Sequence, residues 1–451
     1  MLKELAALVR NGSVSPVELV QRSLERIEAA RGLNAVTALW AEDALREAAA
    51  HPRTGALAGL PVLVKDMVRI EGRRTTFGST LFADAPADAF SDVIIERLRA
   101  AGAIVIGRSN TPEFGATAVT VNTLFGATRN PWNPDKSPGG SSGGSAAALA
   151  AGLVPIATTS DGGGSVRGPA SACGLVGYKP SMGAIGRNAL PRWIEFSTQG
   201  SSGTSVDDVI TEASVTHGPA RGDFLSLPAG SVDLTPRMPR RVIACRTYRS
   251  DMDPEVEEAY ERTLDMLAST GVEVVRAPSP SDNSSVYWWF VISTTELHQS
   301  MLGLSERWNE TCDYVQGQLE FGSRVTAPQY VEAMRMRHEV GARFDDLMGN
   351  DSVVVVPTVN SRAWPAEGPM ASSAGAVEHD TMIALNTADA NFTGHPAVSV
   401  PMGLDRHGVP MGFQITAPRF ADSLALGLAQ HIERHAPWQR NATGHDAFWD
   451  A

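Results

Sequence analysis

Lysine, cysteine and long hydrophobic runs are scarce in this sequence, and each shortage narrows its interpretation. Lysine occurs only four times in 451 residues, as Lys3, Lys65, Lys136 and Lys179. The three cysteines, Cys173, Cys245 and Cys312, are too few and too scattered for a disulfide framework, so we expect reduced thiols in the core. No stretch approaches the ~18 consecutive apolar residues of a membrane-spanning helix. Hydrophobic residues make up 43% of the chain, as in an ordinary globular protein.

Positive charge is also in deficit. Asp and Glu number 50 against 38 Lys and Arg, which gives a formal net charge of −12. A chain of this sign repels phosphate backbones and anionic lipid, so we expect neither nucleic acid nor a membrane as partner. The opening residues, MLKELAALVR, lack the sustained apolar segment and the small-residue cleavage site of a secretory signal. We therefore expect a cytoplasmic protein.

Helical and strand patterns alternate along the chain. Ser15, Pro16 and Glu18 form a capped helix start, and Leu60–Val64 is a short apolar run typical of a buried strand. Further helices are predicted at Ser91–Arg99, Gly144–Ala151, Pro254–Ser269, Pro328–Met348 and Asp422–Arg434. Further strands are predicted at Ala103–Ile106, Arg241–Cys245, Val272–Val275, Ser352–Val356 and Met411–Ile415. This alternation predicts an α/β fold in which helices cover a mixed or mainly parallel sheet.

Lys65 stands at the end of the apolar strand, in the sequence PVLVKD. Lysine is seldom buried without a partner, and burial lowers its pKa because the ammonium form loses its hydration. A buried Lys65 would be able to act as a general base. The alternative is a strand-end lysine that reaches solvent and pairs with Asp66, and this segment alone does not decide between the two.

Glycine and serine concentrate in two places, residues 137–145 (SPGGSSGGS) and 160–171 (SDGGGSVRGPAS). Within the first, Gly139–Gly143 has the letters GxSxG of a hydrolase nucleophile elbow, but the preceding NPWNP is no central strand, which an elbow needs. A phosphate-binding loop is excluded because no Gly-Lys-Ser/Thr follows the glycines. What remains is a flexible backbone with two adjacent hydroxyls, Ser141 and Ser142, at a helix start.

The second cluster places three glycines directly before Ser165. Successive backbone N–H groups without a neighbouring Cβ can converge on one point and form an anion nest, which is what an oxyanion hole requires. Ser165, at the end of the nest, would be placed to attack the carbonyl whose oxygen the nest binds. A glycine-rich turn with no catalytic role is the alternative.

Histidine, the usual base for a serine nucleophile, has no supporting motif in this chain. Of the ten histidines only His51 precedes residue 217, and none lies in or beside either glycine cluster. His431 and His435 are one helical turn apart and would be able to bind a metal. Without an HExxH pattern or an evident third ligand, a solvated helix end is the favoured interpretation.

Four segments together resemble the amidase signature family. They are GLPVLVKD, SPGGSSGGSAAALAAGLVPIA, SDGGGSVRGPASACGLVGYKPS and NFTGHPAVSVPMG. The resemblance covers nearly the whole chain, and Ser165 follows Ser141 by 24 positions, as the family pattern requires. It implies a single α/β/α domain over residues 1–451 around a large mixed sheet, with an N-terminal helical segment (about 1–55) packed on it and a signature core at about 58–210.

The resemblance also implies roles for individual residues. It places the catalytic lysine on Lys65, the central serine with its unusual cis peptide on Ser141, and the nucleophile on Ser165. The oxyanion hole would be formed by the N–H groups of Gly162, Gly163, Gly164 and Ser165, and the bracing positions are Ser142, Asp161 and Arg167. The implied reaction is hydrolysis of a small-molecule amide to a carboxylate plus ammonia or amine through an acyl-enzyme. No metal or organic cofactor is expected, and a homodimer is implied only at the level of the family.

Three functions fit these observations: a free-standing amidase, the glutaminase (A) component of a glutamine-dependent tRNA amidotransferase, and a non-catalytic binding protein. The third would need a lost catalytic residue, and none is lost. In the amidotransferase glutaminase, the resemblance implies that an acidic residue seven positions before the asparagine of its NLAG segment holds the α-amino group of glutamine. Here that position is Ala384, although a gap would bring Asp389 to the same role. We therefore expect an independent amidase.

Two segments depart from the family pattern and are expected to line the substrate pocket, namely Arg187–Asp208 and Asp282–Gln299. The run Tyr287–Phe290 in the second is either an apolar binding wall or a buried helix face. Arg187–Asp208, Ala277–Ser285 and Ala363–Glu378 are also predicted to be long surface loops. The residues from Pro437 onward are predicted to be a loose tail.

Overall fold

Helices and strands alternate in the computed structural model, which describes residues 1–249, 251–368 and 385–449. Its α-helices are α1 (Leu2–Arg10), α2 (Pro16–Ala29), α3 (Ala41–Ala49), α4 (Val93–Ala100), α5 (Gly143–Ala150), α6 (Arg167–Cys173), α7 (Val206–Thr216), α8 (Pro254–Ser269), α9 (Asn283–Met301), α10 (Asp313–Arg324), α11 (Ala327–Met348), α12 (Ala388–Thr393) and α13 (Asp422–His435). Its strands are β1 (Val36–Leu39), β2 (Pro61–Lys65), β3 (Ile104–Ser109), β4 (Ile156–Ala157), β5 (Thr159–Asp161), β6 (Val176–Lys179), β7 (Thr198–Gly203), β8 (Val242–Ala244), β9 (Val274–Arg276), β10 (Val353–Pro357), β11 (Ala397–Leu404) and β12 (Pro410–Thr416).

The strands form one sheet of eight and one of four. The large sheet has the order β5-β7-β6-β11-β12-β10-β8-β9, antiparallel from β5 to β10 and parallel from β10 to β9. The small sheet has the order β1-β3-β2-β4, in which β2 runs parallel to both neighbours and β1 is an antiparallel edge. The prediction of a mixed sheet covered by helices is confirmed.

Strand β10 shows how the large sheet is covered on both faces. Its four valines, Val353 to Val356, are all fully buried. Val353 and Val355 pack with α7, α8 and α13, whereas Val354 and Val356 pack with α9, α11 and α12. Because successive side chains of a strand point to opposite faces, the two groups of helices lie on opposite sides of the sheet. The result is an α/β/α arrangement.

The two sheets adjoin at Thr158, the single residue between β4 and β5. Its backbone N–H donates to the carbonyl oxygen of Leu63 in β2 at 2.9 Å. Its Oγ1 accepts the backbone N–H of Lys65, also at 2.9 Å. The end of β2 is therefore fixed beside β5, which leads directly into the second glycine cluster.

Several predicted elements are confirmed closely. Ser15 and Glu18 form the predicted capping box of α2, and α8 spans Pro254–Ser269 as predicted. Cys173 and Cys245 are buried free thiols, whereas Cys312, predicted in the core, is only half-buried. In the described ranges no helix is long and apolar enough to cross a membrane.

The loop predicted over Arg187–Asp208 is wrong in its second half. Thr198–Gly203 is strand β7, which pairs with β5 on one side and β6 on the other. Its sequence TQGSSG has no apolar alternation, so its pairing partners rather than its side-chain pattern make it a strand. The loop predicted over Ala277–Ser285 ends at Asp282, which caps α9. Most of the loop predicted over Ala363–Glu378 lies outside the described residues.

The predicted loose tail is also wrong. Phe448 is buried, and Nη1 of Arg22 in α2 donates to its carbonyl oxygen at 3.0 Å. The guanidinium of Arg22 also lies 4.3 Å from the ring centroid of Trp449. Two aromatic residues close to the end of the chain therefore hold the tail against α2.

Candidate active site

Lys65, the last residue of β2, is fully buried, and its Nζ contacts three hydroxyl groups. Nζ lies 2.7 Å from Oγ of Ser141, 3.0 Å from Oγ of Ser142 and 3.0 Å from Oγ of Ser160. The first two serines directly precede α5, and Ser160 lies in β5. The junction of the two sheets thus brings together three segments that are far apart in sequence.

Asp66 is not the partner of Lys65. Its carboxylate accepts the backbone N–H and the hydroxyl of Thr76 and lies 3.5 Å from Nε of Arg108. The interpretation of Lys65 as a strand-end lysine paired with Asp66 is therefore excluded. Lys65 is surrounded by hydroxyls.

The contacting hydroxyls differ in their other partners. Oγ of Ser142 donates to the carbonyl oxygen of Ser160 and accepts the N–H of Ser160, both at 3.3 Å, so its proton is already used. Within the described ranges, Nζ of Lys65 is the only hydrogen-bond partner of Oγ of Ser141. Ser141 therefore has a proton that it can give to a neutral Nζ. The peptide bond between Gly140 and Ser141 is cis.

The surroundings of Lys65 make its neutral form accessible near neutral pH. Burial lowers the pKa of Lys65 to about 7, and the negative charge of Asp161 acts in the opposite direction. No carboxylate lies within hydrogen-bond distance of Nζ among the described residues. Lysine can therefore act as a base here without a histidine.

Asp161 organises the glycine loop that follows β5. Its Oδ1 accepts the N–H of Gly164 at 2.6 Å, and its Oδ2 accepts the N–H of Val166 at 3.1 Å. Arg167 binds both carboxylate oxygens, through Nε at 3.0 Å and Nη2 at 2.9 Å. Burial by itself raises the pKa of Asp161, but the charge and hydrogen bonds of Arg167 outweigh it and hold the pKa at about 2. The loop is thus folded around a permanent carboxylate.

The geometry refines the predicted oxyanion hole at one position. Because the N–H of Gly164 donates to Asp161, it is not free to bind a substrate oxygen. The N–H groups of Gly162, Gly163 and Ser165 have no acceptor among the described residues. These three donors are the ones available to an oxyanion.

Arg167 also ties the loop to the last third of the chain. Its Nη1 donates to the carbonyl oxygen of Thr387 and to Oε1 of Gln414, both at 2.8 Å, and its Nη2 donates to Oδ1 of Asn391 at 2.6 Å. Asn391 in turn donates to the carbonyl oxygen of Asp161 at 3.0 Å. Arg167 therefore acts as a brace between the glycine loop, α12 and β12.

Ser165 lies where two cavities meet, and it is partly exposed. The narrow cavity, of about 60 Å³, is lined by residues that include Gly163, Gly164, Trp289 and Leu385. The wide cavity, of about 350 Å³, is lined by residues that include Ser141, Ser160, Gly162 and Arg192. Gly115, Ser165 and Trp193 line both cavities. A substrate bound at Ser165 can thus extend in two directions.

Comparison with known proteins shows the family of this chain. Residues 18–426 match the family model described as Amidase. The structure superposes with a TM-score of 0.88 on a bacterial aryl acylamidase of the amidase signature family, 26% identical, over 96% of this chain and 95% of that one. The chain belongs to the amidase signature family. As an enzyme of this family it is an amide hydrolase.

Members of the family with different names are similar to this chain in nearly equal degree. The acylamidase of Rhodococcus erythropolis is 31% identical, over 96% of this chain and 95% of that protein. The A component of the glutamyl-tRNA(Gln) amidotransferase of Deinococcus radiodurans is 32% identical, over 95% of this chain and 96% of that protein. A 6-aminohexanoate cyclic dimer hydrolase superposes with a TM-score of 0.87 at 27% identity, over 98% of each chain. Overall similarity therefore identifies the family but not the substrate.

The segments that depart from the amidase signature pattern do line the site. Nε1 of Trp289, in α9, donates to the carbonyl oxygen of Gly162 at 2.8 Å, and its ring would lie 2.5 Å from a Cβ at Gly163. Trp193 would lie 2.6 Å from a Cβ at Gly162. The two indoles meet edge to face, with their centroids 5.6 Å apart. Trp289 is thus both a buried helix residue and a wall of the narrow cavity, whereas Tyr287 of the same run is exposed, so the two interpretations hold for Trp289 and not for the whole run.

Sequence reasoning missed several residues of this amidase site. Ser160 contacts Lys65 directly, and Thr387 donates through Oγ1 to the carbonyl oxygen of Gly163 at 2.7 Å. Asn391 and Gln414 hold Arg167. Ser160 lies beside Asp161 in the second glycine-rich cluster, and this position was the one sequence signal that pointed to it. The other three come from α12 and β12, and no local pattern connects them to the loop.

Histidine takes no part in these contacts. His431 and His435 lie with ring centroids 4.2 Å apart, but His431 contacts Thr270 and His435 contacts the carbonyl oxygen of His431. No group of three metal-binding side chains occurs in the part of the chain that the structure describes.

Proposed function

We propose that this chain is an independent amidase that cleaves a linear carboxylic amide to a carboxylate plus ammonia or amine, with Ser165 as nucleophile. The observation that carries the proposal is the contact of Nζ of Lys65 with Oγ of Ser141, 2.7 Å long and without a carboxylate partner. A buried lysine with a pKa of about 7 can take a proton from this hydroxyl near neutral pH.

In the first half of the reaction, Oγ of Ser165 forms a bond to the amide carbon. Its proton passes to Ser141 as Ser141 gives its own proton to Nζ of Lys65. The carbonyl oxygen becomes an oxyanion, which the N–H groups of Gly162, Gly163 and Ser165 would stabilise. The proton then returns through Ser141 to the amide nitrogen, the C–N bond breaks, and ammonia or the amine leaves an acyl-Ser165 ester.

In the second half, water replaces the amine. It attacks the acyl carbon while its proton moves along the same relay toward Lys65. Collapse of the second tetrahedral intermediate breaks the ester bond, and the proton returns to Oγ of Ser165. The products are a carboxylate and the regenerated enzyme, so the cycle consumes one water and needs no redox partner.

Similarity to the amidotransferase glutaminases makes glutaminase activity the second candidate. Glutamine binding would need an acid for the α-amino group. Asp389 does not supply it, because its carboxylate is fully buried and bound by Nη2 of Arg249 at 2.5 Å and Oγ of Ser285 at 2.6 Å. Ala384, the other position considered, lies outside the described residues. The occupied state of Asp389 supports the independent amidase.

The test uses a fluorophosphonate probe and a panel of amides. We expect the probe to label Ser165, mapped by mass spectrometry, and to leave Ser165→Ala unlabelled. The protein alone should hydrolyse aliphatic or aryl amides, and Ser165→Ala should remain folded but inactive. Unchanged labelling of Ser165→Ala would refute the nucleophile. Efficient ammonia release from glutamine, or activity only with partner proteins and charged tRNA, would refute the independent amidase.

A further inference from the structure

Arg192, on the wall of the wide cavity, is held by aromatic rings instead of by acids. Its guanidinium carbon lies 4.7 Å from the ring centroid of Phe114, 5.0 Å from that of Phe77 and 5.4 Å from that of Phe82. Its Nε is buried without a hydrogen-bond partner. Ring faces stabilise a cation but cannot accept all the hydrogen bonds of its N–H groups. Among the described residues, Arg192 has neither an acceptor nor an ion-pair partner.

The buried arginines elsewhere in the molecule are different. Arg108, Arg167 and Arg249 each approach an aspartate, at 3.5, 2.9 and 2.5 Å respectively. Charged groups inside proteins are normally paired in this way because burial removes their hydration. Arg192 is half-buried, its Nε is fully buried, and it has no such partner among the described residues, so its guanidinium is available to an anion from outside the chain.

The other charges that line the wide cavity do not compensate Arg192. Arg69 is a second cation there and lies 3.8 Å from Asp88. Burial together with the charge of Arg69 lowers the pKa of Arg192 to about 10. Arg187 is paired with Asp223 at 3.5 Å. Asp92 is the one carboxylate among the described lining residues, and it accepts the backbone N–H of Arg69 at 2.9 Å. Arg192 is therefore the lining arginine that has no acid of its own among the described residues.

The backbone beneath the rings is held in an unfavourable conformation. Phe77 has φ of 55° and Phe114 has φ of 53°, a region that residues with a Cβ seldom occupy. The N–H of Phe114 donates to the carbonyl oxygen of Phe77 at 2.8 Å and fixes the two together. Strain of this kind persists where the surrounding structure requires a particular side-chain position. Here it presents two of the rings that hold Arg192.

Arg192 is also fixed relative to the reacting serine. The next residue, Trp193, packs directly on Gly162, where an added Cβ would lie 2.6 Å from Cε3 of its ring. Ser165 and Arg192 line the same cavity of about 350 Å³. An anion bound at Arg192 can thus belong to the molecule whose amide lies at Ser165.

We infer that the substrate carries a carboxylate besides its amide, and that Arg192 binds this carboxylate in the wide cavity. This rests on the proposed function and adds the substrate class. The planar N–H fork of arginine matches a carboxylate in two parallel hydrogen bonds, which are stronger than neutral ones. Arg192 is thus a specificity-determining residue. Arg69 adds to the positive potential in the wide cavity but is not the main partner of the substrate carboxylate.

The test compares monoamides of dicarboxylic acids with neutral amides of the same shape. Glutaramate and 5-methylhexanamide form such a pair, because an isopropyl group replaces the carboxylate. We expect kcat/KM for glutaramate to exceed that for its neutral partner by on the order of tenfold or more, as for a charge-assisted pair. Arg192→Gln should abolish this ratio. Arg221→Gln, which removes the same charge from an exposed loop residue, should preserve it.

A binding measurement separates failure of this inference from failure of the proposed function. Glutarate should bind to Ser165→Ala in calorimetry, and the double variant Ser165→Ala/Arg192→Gln should bind it at least about tenfold more weakly. Equal binding by the two proteins, or no binding by either, would overturn the role of Arg192. An unaltered glutaramate ratio in Arg192→Gln would do the same while leaving the amidase intact. Preference for glutamine over glutaramate would instead overturn the independent amidase.

Discussion

Two of the four lysines, Lys65 and Lys179, are fully buried, and they sit in contrasting surroundings. Each ends a buried strand, β2 in one case and β6 in the other. Burial is the main reason that the pKa of each is lowered to about 7. Lys65 contacts three serine hydroxyls, whereas Nζ of Lys179 donates to the carbonyl oxygen of Pro180 at 2.8 Å. Ser141 beside Lys65 lines a cavity, and Lys179 lines neither of the two cavities at Ser165.

The comparison of Lys65 and Lys179 separates two properties of a buried lysine, namely a lowered pKa and the ability to act as a base. Burial alone gives a lysine a pKa near neutrality, and it does so at both positions. A lysine becomes a useful base only when a hydroxyl with a free proton lies in reach and a substrate can approach that hydroxyl. An altered pKa is therefore weak evidence of function unless the neighbouring groups are also right.

The sharpest way to break this comparison is to replace each lysine by methionine, which keeps the length but not the amine. Lys65→Met should lower kcat/KM by on the order of 10³-fold, because the relay from Ser165 loses its base. Lys179→Met should keep most of the activity. Steady-state kinetics with a hydrolysed amide, and thermal unfolding as the check on folding, measure both effects.

Arginine provides the matched control at Lys65. Lys65→Arg should be as inactive as Lys65→Met, since guanidinium stays protonated. Substantial activity in either Lys65 variant, or a larger loss in Lys179→Met, would show that the comparison assigns the base to the wrong lysine.

The next effect concerns the neighbouring serines at Lys65. Ser141→Ala should lower kcat/KM on the order of 10²-fold, because it removes the hydroxyl whose proton is free. Ser142→Ala should cost only about tenfold, since its hydroxyl holds Ser160 and Lys65 in place without giving up a proton. The two variants are matched in size and position. The reverse order of losses would mean that Ser142 transfers the proton.

The pH dependence of kcat/KM should reflect the titration of Lys65 and not that of Lys179. Below its pKa of about 7, kcat/KM should fall about tenfold per pH unit, because only the neutral amine accepts a proton. Lys179→Met should show the same acid limb, although Lys179 has a similar pKa. A limb that vanishes in Lys179→Met would assign the titration to the other lysine.

The smallest effect is one that the two lysines should share. In the unfolded chain a lysine has its ordinary pKa of 10.5, whereas each folded value is about 7. Between these pH values the unfolded state binds a proton that the folded state does not, so the free energy of unfolding rises with pH. Each lysine contributes about 1.4 kcal/mol per pH unit to this slope. Urea unfolding at pH 8 and pH 9.5 should show a smaller rise in Lys65→Met and in Lys179→Met than in the unsubstituted protein.

Sequence patterns predicted the elements with strong local signals. The capping box at Ser15 and the apolar run of β10 are examples, because each is a property of consecutive residues. Strand β7 was missed because TQGSSG owes its conformation to the strands on either side of it. The same limit explains Phe448 and Trp449, whose partner Arg22 lies at the other end of the chain.

The candidate site divides in the same way. The residues around Lys65 and Ser165 suggested a base and a nucleophile, each with a non-catalytic alternative. The family resemblance selected the catalytic roles. The resemblance already favoured Ser141 over Ser142, but the physical reason, that the backbone of Ser160 engages the hydroxyl of Ser142, is visible only in the fold. No sequence motif marks Arg192. Its proposed role in binding a carboxylate was inferred only from the structure, in which no acid pairs with it among its described neighbours.

The brace at Arg167 has a consequence for how the enzyme is made. Lys65, Ser141 and Ser165 are synthesised early, but Arg167 and Asp161 depend on Asn391 and on Gln414, which lies 247 positions after Arg167. A nascent chain folds from its N-terminus while the ribosome is still extending it. Such a chain holds the reactive groups without the frame that aligns them. If Lys65, Ser141 and Ser165 act as proposed, we expect hydrolysis to begin only after the C-terminal strands have left the ribosome and joined the sheet.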